Sequence, residues 1–524
     1  MSNKTPIVEK TNSFTNENPL KETSSVSSSS TFELFNEKDA NKVYLLKSKI
    51  LAEAIEEIGY GRYQIGLFIV CGFGWFNDNA FPIATSLLIP RLIEVDGVIA
   101  PVGRVAYVVL AQNLGLLFGC VLFSLMSDFV GRKLPFQLTL LITSIFAIIS
   151  GASPNFAALG CFVAFYSVGV GGNIVVDASL FLESIPASDQ WVLTVMSLWW
   201  ALAGVITNLF SWGLISNYSC AELTNCYKND NKGWRYFMFT IGGFTFILFV
   251  IRFCFRVYES PKYYLGIGQD MKAIEVVERI AKTNRKPCPI TIEDFQEIDR
   301  KYGEIDEGKD ALIKKNLAKF DGENFKKMFS SPKLTISNVL IIITWSVIGI
   351  AYPLYNSFLP YYLETRGDAT KPLSVHETYR NSLIVSVIGI PGALIAGLLV
   401  ELRTGRKGAL SISLLLTGVV LFGSTTAKSS GSYLAWNCFF SLFSNIQYGV
   451  LYAYTPEICH VQIRALVFGL ASSCNRIMSI FAPIINIFAD LTTSVPIFVA
   501  GALFLAAGVF VVFFPYEPRG KKSL

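Results

Sequence analysis

Histidine is nearly absent from this 524-residue chain, with only His376 and His460. That leaves little material for imidazole-based metal or proton chemistry. Charge is scarce as well, at 16% of residues against about 25% in soluble chains. The formal excess of +5 is too small and too scattered for a nucleic-acid partner. No stretch matches G-x-x-x-x-G-K-[ST], which excludes an ATP-driven pump built on that loop. No nucleophile–base constellation stands out, so neither an enzyme nor a cofactor is expected. The ten cysteines follow neither a metal spacing nor a disulfide framework, since most sit inside apolar runs.

Apolar length is what the chain has in abundance, with 52% hydrophobic residues and 41 Phe. A span across a ~30 Å hydrocarbon layer takes roughly 20 residues. Runs of that length lie near 64–90, 105–127, 134–152, 156–182, 191–216 and 234–257, and again near 334–360, 379–401, 408–427, 431–456, 465–489 and 494–514. The expected fold is therefore an all-α polytopic membrane protein, with twelve transmembrane helices in two six-helix bundles at 62–257 and 334–514. Residues 1–61, with the low-complexity run from Thr23 to Thr31, are expected to be a disordered cytosolic tail, and 515–524 are expected to be a cytosolic tail. Between the bundles, 258–333 reads as a cytosolic linker with short helices. Its stretch from Met271 to Ala281 places Ala273, Ile274, Val277 and Ile280 on one face.

An even span count puts both termini on one side. Basic residues flanking the spans on that side, including Lys42, Lys47, Arg62, Arg256, Lys262, Lys333 and Arg519, make it the cytosolic side. The loop after the fifth span then faces outward, in a multi-pass protein expected at the plasma membrane. In that loop Asn217 begins an N-x-S glycosylation pattern, and Cys220 and Cys226 are candidates for a disulfide in an oxidising space.

The halves repeat. Asp128-Phe129-Val130-Gly131-Arg132-Lys133 follows the second span, and Glu401 with Gly405-Arg406-Lys407 follows the eighth. Glu183 with Pro186 ends the fourth span, and Pro456-Glu457 ends the tenth. Glu259-Ser260-Pro261 follows the sixth, and Glu517-Pro518 the twelfth. Duplicated six-helix halves with a site between them are a transporter architecture.

These motifs resemble the major facilitator superfamily, over essentially the whole chain from Gly61 to Gly520. Tyr258 to Lys262, Gly233-Trp234-Arg235-Tyr236, and Tyr454 to Glu457 with Arg464 are similar to its sugar-porter and organic-ion-porter group. Gly74-Trp75-Phe76-Asn77-Asp78, and Gly169 to Asn173 with Asp177, are most similar to the synaptic-vesicle-glycoprotein-like branch. The resemblance implies alternating access around a site near the bilayer midplane, without naming a substrate. The expected function is secondary active transport of a small polar solute, a sugar or organic ion, by proton symport. The other class considered is a receptor or sensor on the same fold that does not transport. The expected partners are the solute, a proton and the lipid bilayer, and the chain is expected to be a monomer.

Each charge inside hydrocarbon costs at least ~2.5–3.5 kcal/mol and needs a reason. Asp177, in the glycine-rich fourth span, is the first candidate for proton or cation coupling, the alternative being a structural pair with a fixed basic residue. Asp78 is the second, roughly 22 Å up the first span at 1.5 Å per residue. Arg476 lies ~18 Å into the layer from Arg464, so a carboxylate of the protein or an anionic solute must balance it. Candidate substrate-binding residues beside Arg476 are Gln447, Tyr448, Tyr352, Asn356 and Trp200, with Trp199, Tyr355 and Tyr452 near them. Asp128, Arg132, Glu183, Glu401, Arg406, Glu457 and Arg464 form an expected cytosolic gate of ion pairs. Where the pattern of the superfamily it resembles has cations in the N-terminal half, this chain has Phe129 after Asp128 and Gln190 after Glu183, so the gate is expected to depend mainly on the C-terminal half, through Glu401, Arg406, Glu457 and Arg464.

Overall fold

The structure is a computed structural model that describes residues 39–94, 105–189, 192–220, 230–302, 329, 332–365, 373–401, 405–457, 461–488 and 493–515. Twelve membrane-spanning helices form two six-helix bundles related by pseudo-symmetry. In the N-terminal bundle the spans are α2 (Arg62–Glu94), α3 (Ala106–Val130), α4 (Lys133–Gly151), α5 (Phe156–Ser184), α6 (Ser197–Leu214) and α7 (Gly233–Cys254). They follow α1 (Asp39–Ile58), and then α8 (Pro261–Gly266), α9 (Asp270–Asn284) and α10 (Ile292–Tyr302) lead out of the bundle. The C-terminal bundle holds α11 (Pro332–Asn356), α12 (Leu359–Thr365), α13 (Val375–Glu401), α14 (Gly405–Ser424), α15 (Ser430–Glu457), α16 (Val461–Ser479), α17 (Phe481–Phe488) and α18 (Val495–Val512).

Corresponding helices pack in corresponding pairs. α3 against α5 matches α13 against α15, α4 against α7 matches α14 against α18, and α2 against α6 matches α11 against α16. Glycines allow the tightest of these approaches. A Cβ on Gly115, Gly119 or Gly171 would overlap a carbonyl of the facing helix in the α3–α5 pair, the small-residue packing that holds helices together in lipid.

Three spans depart from the single helices expected. The seventh breaks after Asn356 and resumes as α12, and the eleventh breaks at Ile480, three residues before Pro483. Proline favours the first turn of a helix over its interior, because it lacks the N–H donor. The fifth begins with a short turn at Val192–Val195 before α6. Among the described residues, nine spans are apolar and long enough to cross a membrane by length and composition. The three that fall short of that measure are α2, α6 and α15, and all three line the central cavity.

The disordered tail expected over 1–61 needs correction at its end, because residues 39–58 form α1. Val43, Leu51, Ala54, Ile55 and Ile58 are buried on it. Leu51, Ala54 and Ile58 pack with Ala273, Val277, Ile280 and Phe295 of the linker helices in one apolar core. Lys47 is almost fully buried, with Nζ 2.5 Å from Asp270 and 2.7 Å from Asp299. Glu56 accepts hydrogen bonds from the backbone N–H of Ala187 (2.6 Å) and Ser188 (3.3 Å) after the fourth span. The helix was hidden from sequence because its apolar face has no partner within the tail itself. Residues 1–38 and 516–524 lie outside the described residues.

Candidate functional site

The bundles meet around a cavity of about 90 Å³ lined by α2, α6, α11, α12, α13 and α15. Of the expected binding residues, Trp200, Tyr352 and Asn356 line it, and Asn79, Asn208, Ser382, Ser386 and Asn445 join them. No charged side chain is among the lining residues. Trp200 packs between Trp75 (ring centroids 4.9 Å) and Tyr452 (5.0 Å), and its carbonyl accepts a 2.7 Å bond from the Asn79 amide. Tyr352 meets Tyr448 edge-on at 5.0 Å.

Other candidates stand apart from the cavity wall. Gln447 is fully buried, and its amide has no hydrogen-bond partner among the described residues. Tyr355 belongs to the core of the C-terminal bundle, where its hydroxyl donates to Asn437 at 2.6 Å. Trp199 packs edge-on against Phe73, on the face of α2 where Gly72 leaves room for its indole.

Three ion pairs organise the middle and one end of the molecule. Arg476 on α16 donates to Asp78 on α2 at 2.8 Å, joining the bundles, with side chains 19% and 11% exposed. Arg91 at the end of α2 donates to Glu364 on α12 at 2.5 Å, also between bundles. The third pair, Asp177 with Arg252 on α7, lies inside the N-terminal bundle with both side chains fully buried. A Cβ on Gly74 would overlap the second carboxylate oxygen of Asp177, and the guanidinium of Arg252 stacks 3.3 Å from the centroid of the Phe136 ring.

The basic residue of the structural alternative for Asp177 is Arg252, which the sequence reading did not name. Its signal was present: an arginine inside the apolar run of the sixth span needs a counter-charge. The Arg91–Glu364 pair and the cavity amides of Asn208 and Asn445 also escaped notice, because nothing local distinguishes them from ordinary helix polarity.

The end of the molecule bearing Arg91, opposite α1 and the linker, is closed. There the Tyr379 hydroxyl donates to the Leu87 carbonyl at 2.8 Å, the Trp212 indole donates to His376 Nε2 at 3.2 Å, and Asn208 donates to Ser386 at 2.8 Å. These bonds join the bundles in this far half, and the Asp78–Arg476 pair joins them at midplane.

The expected gate lies at the terminal face. Arg132 pairs with Glu183, and Ser260 donates to that same carboxylate. Glu259 accepts from the backbone N–H of Arg132 (2.7 Å) and Lys133 (3.0 Å), capping the start of α4. Gly131 turns the chain there with φ +97°, and a Cβ at that position would press on the Glu259 carboxylate. Arg406 stands half-buried at the matching start of α14. The side chains of Asp128, Glu401, Glu457 and Arg464 lie outside the described residues, as does Gln190. Asn217 is exposed just beyond α6 and donates to the Gly213 carbonyl at 2.8 Å. Cys220 is disulfide-bonded, while Cys226 lies outside the described residues.

Two pseudo-symmetric six-helix bundles closing on a midplane cavity define a membrane transporter of small solutes. The model of the Major Facilitator Superfamily matches residues 65–483, and the chain belongs to that family. It is a transporter and not an enzyme. An MFS-type transporter of Schizosaccharomyces pombe is 56% identical, over 94% of this chain and 92% of that one. The MFS siderochrome iron transporter 1 of Ceriporiopsis subvermispora is 42% identical, over 94% of each. Among solved structures, the xylose transporter XylE from E. coli, in a partially occluded inward-open conformation, superposes with a TM-score of 0.65. It has 15% identity over 88% of this chain and 99% of that one, a likeness of fold.

Proposed function

We propose that the chain is a secondary active transporter that carries a small organic anion together with a proton by alternating access. The observation that carries this reading is the Asp78–Arg476 pair, 2.8 Å long and shared between the bundles. Its side chains are partly accessible, whereas those of Asp177 and Arg252 are sealed from solvent. One guanidinium cannot serve two carboxylates equally. A solute carboxylate takes Arg476 at low cost only when Asp78 accepts a proton, because an unpaired charge at that depth is expensive. Proton and anion would therefore move together, and release of both would restore the pair. Coupling is assigned to Asp78, with Asp177 in a structural role.

Trp200, Tyr352, Asn356 and the neighbouring amides then supply the rest of the solute site, with flat apolar faces and hydrogen bonds. Arg132, Glu183, Arg406 and their partners form the gate at the terminal face. Basic flanks make that face cytosolic, in a monomeric protein of the plasma membrane. The name of the Ceriporiopsis relative adds iron–siderochromes to the solutes worth testing.

Reconstituted vesicles with and without an inward proton gradient test the reading, with organic acids, sugars and an iron–siderochrome offered in parallel. Organic-acid uptake that rises with the gradient is expected. Uptake indifferent to the gradient overturns symport, and uptake of sugars alone overturns the anionic substrate.

A further inference from the structure

A second cavity lies outside the transport path, at the terminal face of the N-terminal bundle. It is a groove of about 800 Å³ between the start of α4, the residues just after α7, and α9. Lys133, Arg256, Arg279 and Lys282 line it, and all four are exposed. Four cations from three separate elements face one space. Arg279 pairs with Glu275 one helical turn away, but both are half exposed, and such pairs contribute little. Together the four side chains offer an anion a basic surface.

The groove also opens onto a lipid-facing surface. Phe253 and Phe255 form part of its wall. Above them α7 presents Phe246, Ile247, Val250, Ile251 and Phe253 outward, between 41% and 67% exposed. An apolar helix face that runs into a basic groove at the end of a span matches one kind of molecule, with a charged head and a hydrocarbon tail. Gln137 adds a buried carbonyl oxygen without a hydrogen-bond partner, an acceptor suited to a headgroup hydroxyl.

We propose that this groove binds an anionic phospholipid of the adjacent leaflet, its phosphate held by Lys133, Arg256, Arg279 and Lys282 and its acyl chains lying along α7. The lipid would tie α9 of the linker to the ends of α4 and α7. Juxtamembrane cations attract anionic lipid, and an arginine fork binds phosphate in two places at once.

The full-length protein would be purified from vesicles of phosphatidylcholine containing phosphatidylglycerol, and its retained lipid counted by mass spectrometry of the intact complex. Preferential retention of phosphatidylglycerol is expected, weakened about 30-fold in Arg256→Gln/Lys282→Gln, from the contribution of two surface cations. Lys428→Gln, on the opposite face, should leave retention unchanged. Thermal unfolding of each variant checks that it remains folded, which is expected because the substituted side chains are exposed. Equal retention of the two lipids overturns the proposal, and so does undiminished retention by the double variant. Displacement of the lipid by millimolar inorganic phosphate would show an anion site without lipid selectivity and also overturns it. None of these readouts depends on transport, so they stand whether or not the solute and coupling proposed above are right.

Discussion

Asp78 and Arg476, 398 positions apart in sequence, meet at 2.8 Å and join the two halves of the molecule near the middle of the bilayer. Asp177 and Arg252 make a chemically identical pair inside one half, fully buried. The two pairs differ in exposure, and the proposed function assigns partner exchange to the first and a structural role to the second.

Neutralising one member of the accessible pair strands the other. Asp78→Asn and Arg476→Gln should each lose roughly 3–5 kcal/mol of stability and all gradient-driven uptake. The double variant should regain most of the stability and none of the uptake. Unfolding temperature, surface expression and uptake for the three variants decide this. Wild-type uptake in Asp78→Asn would remove the coupling role.

Asp177→Asn should behave differently. With Arg252 left uncompensated, the protein should unfold at lower temperature, and exchange and net uptake should fall by the same factor. Gly74→Ala should imitate it, because the added methyl displaces the Asp177 carboxylate. Selective loss of net uptake with normal exchange in Asp177→Asn would restore this residue as a coupling site.

The far closure can be loosened one contact at a time. An indole nitrogen only donates, so the Trp212–His376 bond requires an unprotonated Nε2. His376→Gln keeps an acceptor, whereas His376→Ala and Arg91→Ala remove a partner. Labelling of an introduced Ser382→Cys by an impermeant thiol reagent reports access to the cavity. Removing about 1.4 kcal/mol from the closed state should raise labelling from the far face about tenfold. His376→Gln should stay near wild type.

At the terminal face, Glu56 ties α1 to the loop after the fourth span. Its carboxyl is held below the usual range by hydrogen bonding to Ser188, with the Ser188 and Ala187 amides adding to the effect. A depressed carboxylate stabilises above its unfolded value and loses that contribution as pH falls through the folded one. Docking of α1 should therefore loosen only below about pH 4.3, the ordinary glutamate value. Hydrogen exchange over residues 39–58, corrected for intrinsic rates, should accelerate there. In Glu56→Gln it should already be faster at neutral pH.

The sequence by itself determined the twelve spans, the duplication and the acidic landmarks that end matching helices. Those features are local: a run of apolar residues has to be helical in lipid, because no water is present to satisfy its backbone. It also marked Asp78, Asp177 and Arg476 as charges that need a reason. Which charge answers which was decided by the tertiary structure, because the partners lie 75, 273 and 398 residues apart for Asp177–Arg252, Arg91–Glu364 and Asp78–Arg476. The same holds for α1, whose apolar positions fold only because α9 and α10 offer a matching face. A charge or an apolar stripe states a demand within its own segment, and only the packing of distant helices shows what meets it.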